Sequence, residues 1–171
     1  MRFFLGLIIG IILVPVCVYF YVRFGYAPVA TAAPPFPLER KLAHMALDAR
    51  IDKEAPKQPG VPADESNLMA GAHLYRENCA VCHAMSDGVQ TPTAKGMFPK
   101  PPKLLTGTGV TDDPPGETYW KVANGIRLTG MPAYRESLSE TQMWQISQLL
   151  ATADKLPPSV KDYLAQPPPA K

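Results

Sequence analysis

Two cysteines and a histidine lie in the order Cys-x-x-Cys-His, at Cys79, Cys82 and His83. A redox-active dithiol would use both cysteines but would leave the adjacent histidine unexplained. A zinc site would need further ligands at suitable spacing. The other cysteine and histidines are Cys17, His44 and His73, and they form no second Cys-x-x-Cys or His-x-x-x-His pair. This motif constrains the fold more than any other segment, because three neighbouring side chains have to serve one site.

The spacing of this motif is also that of a covalent c-type haem site. In such a site both thiols form thioether bonds to one porphyrin edge, and the next residue turns beneath the ring to bind the iron. This interpretation accounts for the histidine as well as for the cysteines. It predicts haem c as the single cofactor, Cys79 and Cys82 as its covalent attachment points, and His83 as the proximal iron ligand. The pattern also occurs by chance, so a suitable compartment and a second ligand have to support it.

The N-terminal segment has no charged residue from Phe3 to Val22, a run of 20 residues. A helix of about 20 apolar residues spans the roughly 30 Å hydrocarbon core of a bilayer. We therefore predict an N-terminal transmembrane anchor over residues 1–26. A cleaved signal peptide is the alternative, with the small residues at 30–33 as its cleavage site.

The charges beside the apolar segment do not decide its orientation, since Arg2 precedes it and Arg23 follows it. The haem motif decides instead, because c-type haem is attached on the outer side of the energy-transducing membrane. We therefore expect a single-pass protein of the bacterial cytoplasmic membrane, with its haem domain on the periplasmic or outer side. No cysteine pair remains for a disulfide, because Cys17 then lies in lipid.

Prolines divide the rest of the chain, which contains 20 of them. Seven fall within residues 27–63, which we interpret as a Pro-rich linker. Within it, an apolar spacing predicts a short amphipathic helix over residues 38–52. Residues 64–155 form the predicted globular haem domain. Residues 156–171 are predicted to be a Pro-rich C-terminal tail, extended except for one turn of helix.

Three helices are predicted within the globular region, and no segment alternates as a strand would. The first covers residues 65–78, directly before the cysteine motif. The second covers residues 114–124, with Asp113 as its N-cap and a glycine after its end. The third begins after Ser139, because Ser139 and Gln142 form a capping box. The sequence therefore predicts an all-α fold.

A six-coordinate haem needs a second axial ligand, and a methionine sulfur stabilises ferrous iron in that position. Met131 is favoured because it lies in a loop between two predicted helices and is followed by a proline. Met97, in a proline-rich loop, is the second choice. The remaining candidates lie in predicted helices or too close to His83 and are Met69, Met85, Met143 and, as a nitrogen donor, His73.

Four segments together resemble class I, cytochrome c-like, monohaem domains: CAVCH, PPKL, YWKVANGIRLTGMPAY and LSETQMWQISQLL, in that order. The resemblance covers residues 66–153 and is closest to membrane-bound or fused modules of bacterial respiratory chains. It implies an all-α, cytochrome c-like haem domain in which the first and last helices cross. It also implies that Met131 is the distal iron ligand.

The resemblance assigns further residues to the haem surroundings. It implies that the carbonyl of Pro102 accepts the N–H of the proximal histidine, a contact that orients the ring. The helix-crossing positions of the family match Gly71, Tyr75 and Trp144. The haem-edge and propionate region of the family matches Tyr119, Trp120 and Arg127. For Arg127, a solvated surface side chain is the alternative.

The function expected from these features is electron transfer through a His/Met-ligated haem, without an enzymatic reaction. We expect redox protein partners, such as a quinol-oxidising complex, a dehydrogenase or a terminal oxidase, and no small-molecule substrate. Nucleic acid is not an expected partner, because the net charge is only +2 and the basic residues are scattered. The alternatives are a fixed subunit of a larger oxidoreductase complex, catalysis or gas sensing at an open iron, and an anchor without haem.

Overall fold

The computed structural model describes residues 2–166, and Met1 and residues 167–171 of the predicted tail lie outside the described part. Within residues 2–166 there are α-helices and one 3-10 turn but no β-strand, so the predicted all-α fold is confirmed. The helices are α1 (Arg2–Arg23), α2 (Glu39–Glu54), α3 (Glu65–Asn78), α4 (Ala80–His83), α5 (Pro92–Gly96), α6 (Pro115–Asn124), α7 (Glu140–Ala151) and α8 (Pro158–Ala165). The chain forms two compact units, which meet in sequence between Ala43 and His44.

The first unit contains α1, the predicted membrane anchor. This helix has 22 residues, is apolar between its two terminal arginines and has no buried side chain. At about 1.5 Å per residue it is long enough to cross a bilayer core of about 30 Å. Length and composition thus make α1 a candidate membrane span, although a signal sequence has the same properties.

The second unit is built on the crossing of α3 and α7. Tyr75 on α3 and Ile146 and Leu149 on α7 are fully buried there. A Cβ on Gly71 would overlap the backbone carbonyl of Gln145 and lie 3.2 Å from the Cβ of Leu149. Only a glycine allows so close an approach of the two helices. The helix crossing that the resemblance implies is therefore confirmed.

The helix ends test the predicted caps. Helix α3 covers Glu65–Asn78 as predicted, and α7 has the predicted capping box between Ser139 and Gln142. The predicted Asp113 cap of α6 is wrong, since Pro114 takes the N-cap position and Asp113 lies 3.5 Å from the Lys121 ammonium instead. The cause is the Pro114–Pro115 pair. A residue that precedes a proline rarely adopts helical backbone angles, so the helix begins after Pro114.

The C-terminal segment differs from the predicted extended tail. Helix α8 is 8 residues long and buries Val160 and Leu164. The guanidinium of Arg76 on α3 donates a hydrogen bond of 2.7 Å to the carbonyl of Tyr163 and lies over the ring of the same residue. Of the prolines that suggest an extended chain, Pro157 takes the N-cap position and Pro158 the first turn of the helix, where a missing N–H does no harm. The other three lie outside the described residues.

Residues 51–63, within the predicted linker, pack against the helices of the second unit. Ile51 is only 2% exposed. The indole N–H of Trp120 donates to the Glu54 carboxylate at 3.1 Å, and the Gln148 amide donates to the Val61 carbonyl at 2.7 Å. This part of the proline-rich region therefore belongs to the compact unit, while the predicted domain boundaries stay a prediction.

Candidate haem-binding site

The cysteine motif forms one helical turn directly after α3. Cys79 ends α3 and precedes α4, and its carbonyl accepts hydrogen bonds from the N–H groups of Cys82 and His83 at 3.0 and 2.9 Å. Ala84 ends the turn with a φ of +65°. The buried hydroxyl of Tyr75 donates to the Ala84 carbonyl at 2.7 Å. The end of the motif is thus hydrogen-bonded to the last turn of α3.

The imidazole of His83 is oriented by a backbone carbonyl from another loop. Its Nδ1 lies 2.8 Å from the Pro102 oxygen. A carbonyl can only accept, so Nδ1 carries the proton and Nε2 keeps a free lone pair that can bind a metal. Burial lowers the pKa of His83, and the hydrogen bond to Pro102 partly opposes this. The hydrogen bond that the resemblance implies is present.

The two cysteines of the motif are free thiols in different environments. Cys79 is 7% exposed, whereas Cys82 is half-buried. Burial and, to a smaller extent, the neighbouring Cys82 raise the pKa of the Cys79 thiol to about 12. The Cys79 thiol is therefore protonated at neutral pH. Residues 2–166 contain no cluster of three or more His, Cys, Asp or Glu side chains placed to hold a metal ion.

Met131 lies in a loop whose backbone is closely held. The loop begins at Gly125, whose φ of +66° and close approach to the backbone of residues 131–133 require glycine. The carbonyl of Met131 accepts from the N–H of Ile126 at 3.1 Å, and its N–H donates to the Thr129 hydroxyl at 3.0 Å. The half-buried Met131 side chain packs against the core of the unit.

The loop of Met131 is hydrogen-bonded to the residue that precedes the cysteine motif. The hydroxyl of Tyr134 donates to the carbonyl of Asn78, the residue before Cys79, at 2.9 Å. On the other side of the motif, the Thr91 hydroxyl donates to the Val81 carbonyl at 2.6 Å. Sequence reasoning missed Tyr134 and Thr91. Their bonds join residues 56 and 10 positions apart, and such contacts leave no local pattern.

The donor set and its surroundings fit a haem. Two thiols, an imidazole with a free Nε2 and a thioether belong to segments that pack around one core. Large apolar side chains on these segments are exposed, and they are Val81 (53%), Val89 (66%), Phe98 (42%) and Leu128 (93%). Exposed apolar side chains of this kind can cover an apolar ligand. A porphyrin has the large apolar faces that such residues cover.

The other residues that the resemblance assigns have different surroundings. Tyr119 stacks on Trp144 with ring centroids 4.2 Å apart, and Trp120 is bonded to Glu54 on α2. Arg127 is exposed. Each of these described contacts is with a residue outside the cysteine motif. A role for Tyr119, Trp120 or Arg127 at the haem edge stays a prediction.

The site combines a Cys-x-x-Cys-His turn, a proline carbonyl bonded to the histidine, and a loop that carries a methionine. These parts lie around two crossing helices. This combination is that of the c-type cytochromes. Residues 66–150 match the family described as cytochrome c oxidase, cbb3-type, subunit III. This part of the chain is therefore a c-type cytochrome domain, and it includes the cysteine motif, the Pro102 carbonyl and the Met131 loop.

Comparison with individual proteins adds a distant neighbour. No curated protein matches the chain. A solved chain of the reducing HAO-like protein complex from Kuenenia stuttgartiensis has 23% sequence identity and a TM-score of 0.44. The match covers 61% of this chain and 54% of that chain, so it spans about half the length of the neighbour.

Proposed function

We propose that the protein is a membrane-anchored monohaem c-type cytochrome that carries single electrons between redox proteins. The observation that carries this proposal is the 2.8 Å hydrogen bond from His83 to the Pro102 carbonyl, directly beside the cysteine pair. That bond leaves Nε2 as the coordinating nitrogen, which is what a proximal haem ligand needs. Bound haem c supplies a one-electron ferric–ferrous couple.

Different residues of the site would attach the haem and bind its iron. Cys79 and Cys82 would each add their thiol across one vinyl group, so that sulfur bonds to one vinyl carbon and the proton goes to the other. His83 Nε2 and the Met131 sulfur would be the two axial ligands. With both axial positions filled by protein, the iron has no open site for a substrate. Exchange of electrons then remains as its chemistry.

The membrane anchor proposed here is α1. Its length and hydropathy support the assignment, and a retained α1 would keep the cytochrome domain at the bacterial cytoplasmic membrane. The domain would lie on the periplasmic or outer side, where c-type haem is attached. Such a position suits exchange with a quinol-oxidising complex, a dehydrogenase or a terminal oxidase.

A second candidate function is that of a fixed subunit in a larger redox complex. The matched family is named after an oxidase subunit, which supports this candidate. The electron-transfer chemistry would be the same, but the partner would remain bound. Purification in mild detergent distinguishes the two, because a fixed subunit elutes with stoichiometric partner chains and a mobile carrier elutes alone.

The first test is carbon monoxide binding to the reduced, haem-loaded protein. Wild-type protein should resist carbon monoxide, because the methionine sulfur closes the sixth position. Met131→Ala should bind it readily, whereas Met69→Ala, a methionine change on α3, should behave as wild type. If wild-type protein binds carbon monoxide readily, the sixth position is open, and gas binding or catalysis replaces electron transfer as the function.

A further inference from the structure

One segment, residues 91–102, contacts both axial sides of the proposed haem site. At its end, the Pro102 carbonyl binds His83. Five positions earlier, the side chain of Met97 lies against Gly130, the residue directly before Met131. One short segment thus contacts both the proposed proximal ligand, His83, and the residue before the proposed distal ligand, Met131.

The contact between Met97 and Gly130 is close. A Cβ added to Gly130 would overlap the Met97 methyl group and lie 3.4 Å from its sulfur. Gly130 has no left-handed backbone conformation that would by itself demand glycine. Glycine at this position therefore provides space for the thioether. Met97 is half-buried in this arrangement.

The backbone beside Met97 is itself anchored to the cysteine motif. Thr91 caps α5 by accepting from the Ala94 N–H at 3.2 Å, and its hydroxyl also donates to Val81 inside the motif. The N–H of Met97 donates to the Ala94 carbonyl at 3.4 Å. The Gln90 amide closes the segment by donating to the Pro101 carbonyl at 3.0 Å. The segment is therefore held on the proximal side while Met97 reaches the Met131 loop.

We propose that Met97 is a positioning residue for the sixth ligand. Its thioether packs on Gly130 and sets the approach of the Met131 loop to the haem iron. This inference rests on the proposed His/Met ligation. Residues that orient metal ligands commonly change metal affinity by about 10–100-fold when they are altered. Removing the Met97 side chain should therefore weaken the bond between Met131 and iron without abolishing it.

The test uses the haem-loaded full chain with Met97→Ala, Met97→Leu and Met131→Ala. Two properties are measured: the rate of carbon monoxide binding to the reduced protein, and the sulfur-to-iron charge-transfer absorption of the oxidised protein. Met97→Ala should bind carbon monoxide about tenfold faster than wild type and show a weaker charge-transfer absorption. Met97→Leu should remain close to wild type, because leucine conserves the volume. Met143→Ala, a deletion in the core, should lower thermal stability and leave both properties unchanged.

A double-mutant cycle tests the contact itself and remains informative if Met97→Ala folds poorly. Gly130→Ala pushes the Met97 methyl away and should increase carbon monoxide binding. Met97→Leu combined with Gly130→Ala should differ from the sum of the two single changes, because the two side chains share one space. Additive effects would show that the residues do not act together and would overturn the proposal.

The outcomes separate this inference from the proposed function. If Met97→Ala behaves as wild type while Met131→Ala binds carbon monoxide, Met131 ligation stands and the positioning role of Met97 is overturned. Met131→Ala is expected to abolish the charge-transfer absorption completely. If Met97→Leu abolishes it completely instead, Met97 is itself the sulfur ligand. In that case both proposals fail. If Met131→Ala keeps the absorption, the proposed ligation fails independently of Met97.

Discussion

At the scale of single residues, the cysteine motif depends on hydrogen bonds to backbone carbonyls from distant parts of the chain. The Pro102 carbonyl orients His83, and Tyr75 holds the end of the turn through Ala84. Sequence could predict the first of these because PPKL belongs to a family pattern. The Tyr75 bond was not predictable, because burial and a partner nine positions away decide it.

The two motif cysteines should have equivalent roles in attachment, although their exposures differ. In Cys79→Ser or Cys82→Ser, one thioether should remain, so haem should stay on the denatured chain. In the double variant, haem should be lost on denaturation. Intact mass after acid denaturation measures this directly, and Cys17→Ser is the matched control. Retention of haem by the denatured double variant would contradict covalent attachment through this pair.

Tyr75 should contribute to stability through its hydroxyl group. Burial raises the pKa of Tyr75, so the hydroxyl remains a protonated donor at alkaline pH. Tyr75→Phe leaves the Ala84 carbonyl without this donor, which should cost about 1–3 kcal/mol of unfolding free energy. Denaturant unfolding of the haem-loaded protein measures the loss. Tyr119→Phe, on a partly exposed ring, is the control and should change stability by less.

At the scale of helices, prediction succeeded where a signal is local and failed where packing decides. The Ser139 cap and the bounds of α3 follow from nearby residues, and both are confirmed. Helices α4 and α5 were missed because 4 and 5 residues are too short to show a periodic pattern. Helix α8 was missed because its stability comes from burial against α3, while its prolines suggest an extended chain.

The crossing of α3 and α7 provides a direct test of helix packing. Gly71→Ala places a methyl group against the backbone carbonyl of Gln145, which the rigid helix cannot move aside. We expect a loss of about 1–3 kcal/mol, as for other overpacked cores. Gly96→Ala is the control, since a Cβ there has no neighbour within 4 Å. Equal unfolding free energies for the two variants, measured with denaturant, would mean that the crossing is looser than described.

At the scale of the whole molecule, residues 51–63 bring part of the proline-rich region into the compact unit. Their proline content predicts a linker, but Ile51 and Ala55 are buried and Gly116 packs closely on the Pro56 carbonyl. The proline content of a segment indicates how stiff its backbone is. It does not indicate whether the segment packs against other parts of the protein. The docked segment therefore could not be separated from a free linker by sequence alone.

Ile51 and Met45 on α2 offer a matched pair of tests for this packing. Ile51→Ala should cost about 2–5 kcal/mol, because it removes a fully buried side chain and leaves a cavity. Met45→Ala should change the unfolding free energy by less than about 0.5 kcal/mol, because Met45 is 57% exposed. Thermal unfolding of the full-length protein in detergent measures both. Equal melting temperatures for the two variants would show that this part of α2 is not docked.

The bond between Tyr134 and Asn78 also bears on the rate of electron transfer. It joins the loop of Met131 to the residue next to Cys79. The segment with the proposed distal ligand is therefore fixed to the segment with the proposed attachment cysteines. When the iron of a bound haem changes charge, this connection would keep the two proposed axial ligands from shifting. The part of the reorganisation energy that comes from ligand motion would thereby be reduced, and each electron would cross with little movement of the protein.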